Sequence, residues 1–134
     1  MKGALYNVKE KSGVTLYPSE WTIMECLWKH SPLTIVGVWH AVKDETNWSK
    51  STVNTLLGRM ALKGLIRYEE GRKAKEYYPC ISHDEVAISE TKSLLHRVYR
   101  GSVSMLMNAL VEKDELSKED IDELYEILKK AEKR

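Results

Sequence analysis

Ser49-Lys50-Ser51-Thr52-Val53-Asn54-Thr55-Leu56-Leu57-Gly58-Arg59-Met60-Ala61-Leu62-Lys63-Gly64-Leu65 carries one apolar stripe and one polar face. At 100 degrees per residue Val53, Leu56, Leu57, Met60 and Ala61 fall on one side of a helix running from about Ser49 to Lys63. The opposite side holds Ser51, Asn54, Thr55 and Gly58, flanked by Thr52 and Arg59, all small or hydrogen-bonding. Gly64 offers the left-handed conformation that stops such a helix. About 14 helical residues span roughly 21 Å, a length that fits a DNA major groove. Small outward side chains let the backbone approach base edges closely.

Two helices precede this one. Pro18 and Ser19, with Ser19 expected as N-cap, lead into Trp21, Met24, Leu27 and Trp28, and Ser31-Pro32 closes the segment. Thr34 introduces Ile35, Val38, Trp39 and Val42, followed by a polar turn from Asp44 to Asn47. After Gly64 come two extended runs, Leu65 to Glu70 and Lys75 to Pro79, joined across Gly71 by the basic turn Arg72-Lys73. Three helices and a hairpin, with a short turn between the second and third helices, are the element order of a winged helix-turn-helix. Trp21, Trp28, Trp39 and Trp48 are expected at the core or its edge, with Trp48 packing the turn, and Cys26 is expected to be a buried small residue.

Ser82 to Asp84 reads as a linker with a cap, and the remainder is helical throughout. One helix carries Val86, Ile88, Leu94, Leu95, Val98 and Tyr99 and stops near Gly101; a second carries Val103, Leu106, Met107, Leu110 and Val111. The third opens with Ser117 as cap and Asp120 three residues on, a capping box with Leu116 and Ile121 placed as a staple, and ends in Lys129, Lys130, Lys133 and Arg134. Three short helices with one stripe each cannot cover one another. A second copy of the chain is the simplest cover, through Leu94, Val98, Val103, Leu106, Met107, Leu110, Ile121, Leu124, Tyr125 and Leu128.

The expected class is therefore mainly α with a small β wing: an N-terminal winged helix-turn-helix and a C-terminal three-helix dimerisation region. The boundaries fall at 1–16 (a leader without assignment), 17–81 (DNA-binding domain) and 82–134 (helical domain). With 134 residues, 43% hydrophobic and 31% charged, the chain is an ordinary globular one, which excludes a disordered or collagen-like protein. No stretch approaches the roughly 20 apolar residues of a membrane span, and the start lacks a signal-peptide core, so membrane insertion is not expected and the cytoplasm is the expected location. Cys26 and Cys80 fit neither a metal knuckle nor a disulfide framework.

The net charge of +1 conceals an asymmetry. Met1 to Cys80 holds 12 Lys and Arg against 8 Asp and Glu, whereas Ile81 to Arg134 holds 9 against 12, so an anionic partner belongs on the front half. The partner these features suggest is a double-stranded DNA operator. Asn54 suits an adenine, Arg59 a guanine or a phosphate, and the threonine methyls a thymine. Ser49 and Lys50 sit where free helix amides bind phosphate, and Arg72, Lys73 and Lys75 would reach an adjacent backbone or the minor groove. Each feature alone also fits a plainer role: a solvated helix face, or a charged turn that aids solubility. His30, His40, His83 and His96 lack ligand spacing, no phosphate loop, nucleophile elbow or HExxH occurs, and neither metal, cofactor nor catalytic residue is expected.

Several segments together resemble the penicillinase-repressor (BlaI/MecI) family, to which copper-responsive repressors also belong. They are Pro18-Ser19-Glu20-Trp21-Thr22-Ile23-Met24 with Leu27-Trp28, Trp48 to Met60, Lys63-Gly64-Leu65, Glu70-Gly71-Arg72, Tyr99-Arg100-Gly101-Ser102 and Val111-Glu112-Lys113, within a match from Tyr17 to Lys130. The resemblance implies a homodimeric repressor that binds a palindromic operator through its winged helix and dimerises through its C-terminal helices. It further implies release by a regulatory protease, triggered by a membrane sensor of β-lactams, with the cut bond aligning to Asn108-Ala109. Where antibiotic-responsive members carry phenylalanine, this chain has Ala109; the copper branch's CxC tail has no counterpart between Leu128 and Arg134. Two other readings of the residues stay open. One is a winged helix that docks protein, the other a regulator holding a small ligand among its C-terminal helices.

Overall fold

The computed structural model describes residues 13–113 and 115–134, so the assignment-free leader lies largely outside the described residues. The elements are α1 (Pro18–Lys29), α2 (Ile35–Thr46), α3 (Lys50–Leu62), β1 (Ile66–Glu70), β2 (Lys75–Pro79), α4 (His83–Tyr99), α5 (Val103–Glu112) and α6 (Lys118–Glu132). This is the mainly α architecture with a small β wing.

Short polar side chains start most of these helices. Thr34 Oγ1 accepts from Gly37 N at 3.0 Å, Ser49 Oγ from Thr52 N at 3.1 Å and Ser102 Oγ from Met105 N at 3.2 Å. Capping boxes open α4 and α6: Ser82 with Glu85, and Ser117 with Asp120 as the spacing predicts. The first helix departs from expectation. Its N-cap is Tyr17, and Ser19 lies inside the helix, because Pro18 takes the first helical position and Glu20 Oε1 accepts from Tyr17 N at 2.9 Å. The polar turn after α2 is also shorter than Asp44 to Asn47. Helix α2 continues through Thr46, whose Oγ1 donates to Val42 O, and Asn47 at φ 59° supplies the left-handed stop.

Residues up to Ser93 and residues from Leu94 form separate compact units. In the first, Ile23, Met24 and Leu27 of α1, Val38 and Val42 of α2, and Val53, Leu57 and Met60 of α3 are buried in one core with Ile66, Tyr77, Ile81 and Val86. Losing any of these side chains to alanine costs about 2–5 kcal/mol in comparable cores. Gly64, at φ 81°, turns the chain from α3 into the hairpin. The strands pair antiparallel with Ile66 opposite Pro79 and Glu70 opposite Lys75. At the turn Gly71 N donates to Ala74 O, and a Cβ at Gly71 would sit 2.5 Å from that carbonyl, so only glycine fits. Beyond the expected hairpin, Leu33 bridges Tyr77 through both backbone bonds, 3.2 and 2.8 Å, attaching the wing to the segment before α2.

The front of α4 packs with this first unit. Glu90 Oε2 accepts from Leu16 N at 3.1 Å and from Trp21 Nε1 at 3.0 Å, while Ser89 Oγ donates to Val14 O at 2.6 Å. Val14 and Leu16 thereby join the core. Trp28 Nε1 donates to Ile81 O and Trp39 Nε1 to Trp48 O, so three tryptophans sit at the core edge with their N–H groups satisfied, and Trp48 is half-buried beside the turn. Cys26 is half-buried rather than fully enclosed. In the second unit, Arg100 at φ 52° and Gly101 at φ 87° end α4, with Gly101 N donating to Leu95 O. Neither α5 nor α6 contains a fully buried residue.

Glu20 is the exception to an apolar core: it is 2% exposed and ion-paired to Lys63, which is far more accessible. Removing one partner of such a pair harms most when the other cannot reach water. Lys63→Met should therefore cost about 3 kcal/mol and Glu20→Gln, which frees an amine that can re-solvate, about 1–2 kcal/mol. Urea unfolding of the two variants measures this order; equal losses would mean the carboxylate is not the constrained member.

Candidate nucleic-acid interface

Helix α3 turns its apolar stripe into the core and leaves the rest to solvent. Val53, Leu57 and Met60 are fully buried and Leu56 and Ala61 half-buried. Ser49, Lys50, Ser51, Thr52, Asn54, Thr55 and Arg59 are all exposed, as the spacing predicts. A Cβ built on Gly58 meets nothing within 4 Å, so the middle of this face is open. Ser49 Oγ lies 3.1 Å from Thr52 Oγ1 as well as capping the helix, which ties these two hydroxyls to the first turn. No acid occupies that turn. The face thus presents hydroxyls, one amide and one guanidinium around a bare backbone, the composition that direct reading of base edges requires.

The hairpin brings its cations to two different settings. Arg72 and Lys73 are exposed at the turn and form no ion pair among the described residues. Lys75 instead lies 4.3 Å from the Tyr68 ring centroid and opposite Glu70. Arg67, not singled out from sequence, stacks 4.2 Å from the Tyr78 ring and pairs with Glu69.

Sequence reasoning also passed over Lys43. Its Nζ and that of Lys50 lie 4.8 and 4.9 Å from the centroid of one indole, Trp39. The spacing of Trp39 and Lys43, one helical turn apart, was the signal for the first contact; the second joins two helices and has none.

Burial pushes the Cys26 thiol up, against the opposing pull of Lys29, and likewise the Cys80 thiol, against Arg67. Thiols raised in this way are poor nucleophiles at neutral pH. The Tyr77 phenol is raised by the same desolvation. Among the described residues no three His, Cys, Asp or Glu side chains converge as a metal site, and no helix is long and apolar enough to cross a membrane.

In the second unit Leu94, Val98, Val103, Ile121, Tyr125 and Leu128 are exposed, and Leu106, Met107, Leu110 and Leu124 are half-buried. Asn108 is exposed on α5 and Ala109 half-buried. Met107, Leu110, Leu116, Leu124 and Ile127 line an open groove of about 260 Å³ with Asp120 and Glu123 on it.

Three helices packed on a two-stranded wing, with the third helix presenting an open polar face, define a winged helix-turn-helix protein. The family model described as Penicillinase repressor matches residues 16–130, and the chain belongs to that family. The methicillin resistance regulatory protein MecI of Staphylococcus aureus strain N315 is 29% identical over 112 residues, 84% of this chain and 91% of that protein. The penicillinase repressor of Bacillus licheniformis is 30% identical over 116 residues, 87% of this chain and 91% of that protein. The solution structure of the DNA binding domain of the repressor BlaI aligns with a TM-score of 0.48 and 26% identity, covering 52% of this chain and 85% of that one.

Gly58 lies in an exposed helix interior, where glycine is less favourable than alanine. Gly58→Ala should raise folding stability by about 0.5–1 kcal/mol. A shift of the urea midpoint to lower concentration would reveal a hidden neighbour at this face.

Proposed function

We propose that this chain is a sequence-specific DNA-binding transcriptional repressor, acting in the cytoplasm as a homodimer on a palindromic operator. The observation that carries this reading is the outward face of α3, where Ser51, Thr52, Asn54, Thr55 and Arg59 are exposed around the open backbone of Gly58. Membership of the penicillinase repressor family supports it, as do relatives named as a repressor and a resistance regulator. Two protomers would present two α3 helices to major grooves one turn, about 34 Å, or a multiple of it apart, and repression follows from occupancy. No chemistry on the DNA is needed, so the protein is not an enzyme.

The dimer rests, in our reading, on the helical region 82–134, whose part from Leu94 on is the second unit, with 17–81 contacting DNA. Helices α5 and α6 bury no residue fully, and the exposed Val98, Val103, Tyr125 and Leu128 leave apolar surface that a second copy would cover. A groove of about 260 Å³ falls below the usual range of small-molecule pockets, roughly 300–1,000 Å³, and suits side chains of a partner helix better than a ligand. Relief comes from an inducing signal or from a regulatory protease cutting at Asn108-Ala109, which would divide α5 and part its end and α6 from the rest of the chain. A membrane sensor would then be the upstream partner.

Asn54→Ala should relax preference at one base position, whereas Arg72→Gln with Lys73→Gln should weaken binding to every duplex alike and flatten the salt dependence by about one unit of slope per lost phosphate contact. Selection of duplexes from a random pool, followed by titration at graded salt, measures both. Retardation without sequence preference that vanishes at modest salt would favour a protein-docking role instead.

Leu110→Glu in the second unit should give a monomer by analytical ultracentrifugation and lower operator affinity by about 100-fold or more, because linked half-sites no longer bind as one event. A solitary wild-type particle at every concentration would remove the dimer from the mechanism.

A further inference from the structure

We propose that Trp39 is a positioning residue for DNA binding, its indole holding the Lys43 and Lys50 ammonium groups together as contacts to the phosphate backbone. This rests on the DNA-binding reading above. Lys43 comes from the last turn of α2 and Lys50 is the first residue of α3, yet both ammonium groups lie over the same ring, 4.8 and 4.9 Å from its centroid. The two charges are therefore within about 10 Å of each other. Neighbouring phosphates of one strand climb the duplex axis by about 3.4 Å each, so two ammonium groups within about 10 Å of each other fall within the span of a few successive phosphates.

Two like charges gathered this closely need a reason. Two other cations of this unit that lie over rings have carboxylates, Lys63 with Glu20 and Arg67 with Glu69, whereas Lys75 lies alone over its own ring, Tyr68. Lys43 and Lys50 have none among the described residues, and the negative face of the indole offsets only part of their repulsion. Anionic groups that contact both ammonium groups relieve the remainder. The ring itself is fixed, because Trp39 Nε1 donates to Trp48 O at 2.9 Å, immediately before the Ser49 cap of α3. Lysine is a flexible point charge, and holding it in place before binding removes part of the ordering cost of the contact. One side chain thus joins the two helices of the helix-turn-helix and arms their junction.

The test measures affinity of the full chain for its selected duplex and for random duplex across a salt series. Trp39→Leu should weaken both by the same factor, about five- to thirty-fold. Trp39→Phe, which keeps an aromatic face but loses the five-membered ring and its N–H, should bind more weakly than wild type and more tightly than Trp39→Leu. Lys43→Gln with Lys50→Gln should lower the salt slope by about two units. Added to that double variant, Trp39→Leu should have no further effect beyond about twofold. An equal loss from Trp39→Leu with and without the lysines would make the tryptophan merely structural and overturn the inference, as would a salt slope unchanged by the double lysine variant. The slope needs no tryptophan variant to fold. Wild-type protein that binds no duplex at any salt would overturn the DNA-binding reading itself; wild-type protein that binds with a steep salt slope while Trp39→Leu binds equally well would overturn only this role of Trp39.

Discussion

A carboxylate removed almost wholly from water has to be answered on both oxygens, and at Glu20 the two answers come from opposite ends of the first unit. One oxygen takes the backbone N–H of Tyr17 and so starts α1; the other takes Lys63, the residue that ends α3. The ring of Tyr17 lies 4.8 Å from the same ammonium. The helix that faces solvent with its polar side is thereby held at its C-terminal end by a charge it cannot leave without stranding a buried carboxylate. At its other end Trp39 Nε1 holds the residue before the cap. Between these two fixings the apolar stripe of Val53, Leu57 and Met60 sets the rotation of α3 about its axis. Rotation and both ends together determine which side chains a duplex would meet.

Much of this was legible in the chain because it is local. The stripe of α3, its cap at Ser49, the stop at Gly64, the box at Ser117 and Asp120, and the hairpin across Gly71 each depend on residues within a few positions of one another. What escaped is what spans distance. Leu33 joins Tyr77, Trp21 and Leu16 meet Glu90, and Glu20 meets Lys63 across 43 positions, and no periodicity announces any of them. A glutamate in the first turn of a helix reads as a dipole partner, whereas here it is also a core residue. The misplaced cap at Ser19 has the same origin: a serine competes well for that position in isolation, but Glu20 reaches back to Tyr17 and shifts the helix start. For the outward face, exposure was legible and electrostatic arrangement was not, since Lys43 and Lys50 meet only when two helices are packed.

The second unit obeys the opposite economy. Caps and left-handed stops shape α4, α5 and α6 one by one, but apolar side chains such as Val98, Val103 and Leu128 remain about half accessible. Hydrophobic stabilisation scales with area removed from water, so a layer this thin gains little until something covers it. If a second copy supplies that cover, as proposed, folding and assembly become linked by mass action. A repressor built this way would lose its dimer and part of its second unit's stability in one step, which makes that unit the natural place for a release mechanism to act.

The division of labour follows from where charge is absent as much as from where it is present. The outward face of α3 holds hydroxyls, an amide, an open glycine and Arg59, a set that can hydrogen-bond to base edges but would supply little attraction from a distance. On the proposed reading attraction would come from the flanks, where cations without an ion pair among the described residues stand: Lys43 at the end of α2, Lys50 at the start of α3, and Arg72 and Lys73 at the tip of the wing. Because the whole chain is nearly neutral, with the back half acidic, these few charges act locally and are not part of a broad positive surface. Each half-site would then be weak and strongly salt-dependent. On the proposed reading, a pair of half-sites held at fixed spacing would turn such weak contacts into lasting occupancy, and the thin helical layer and the lightly charged face of α3 would serve that one end together.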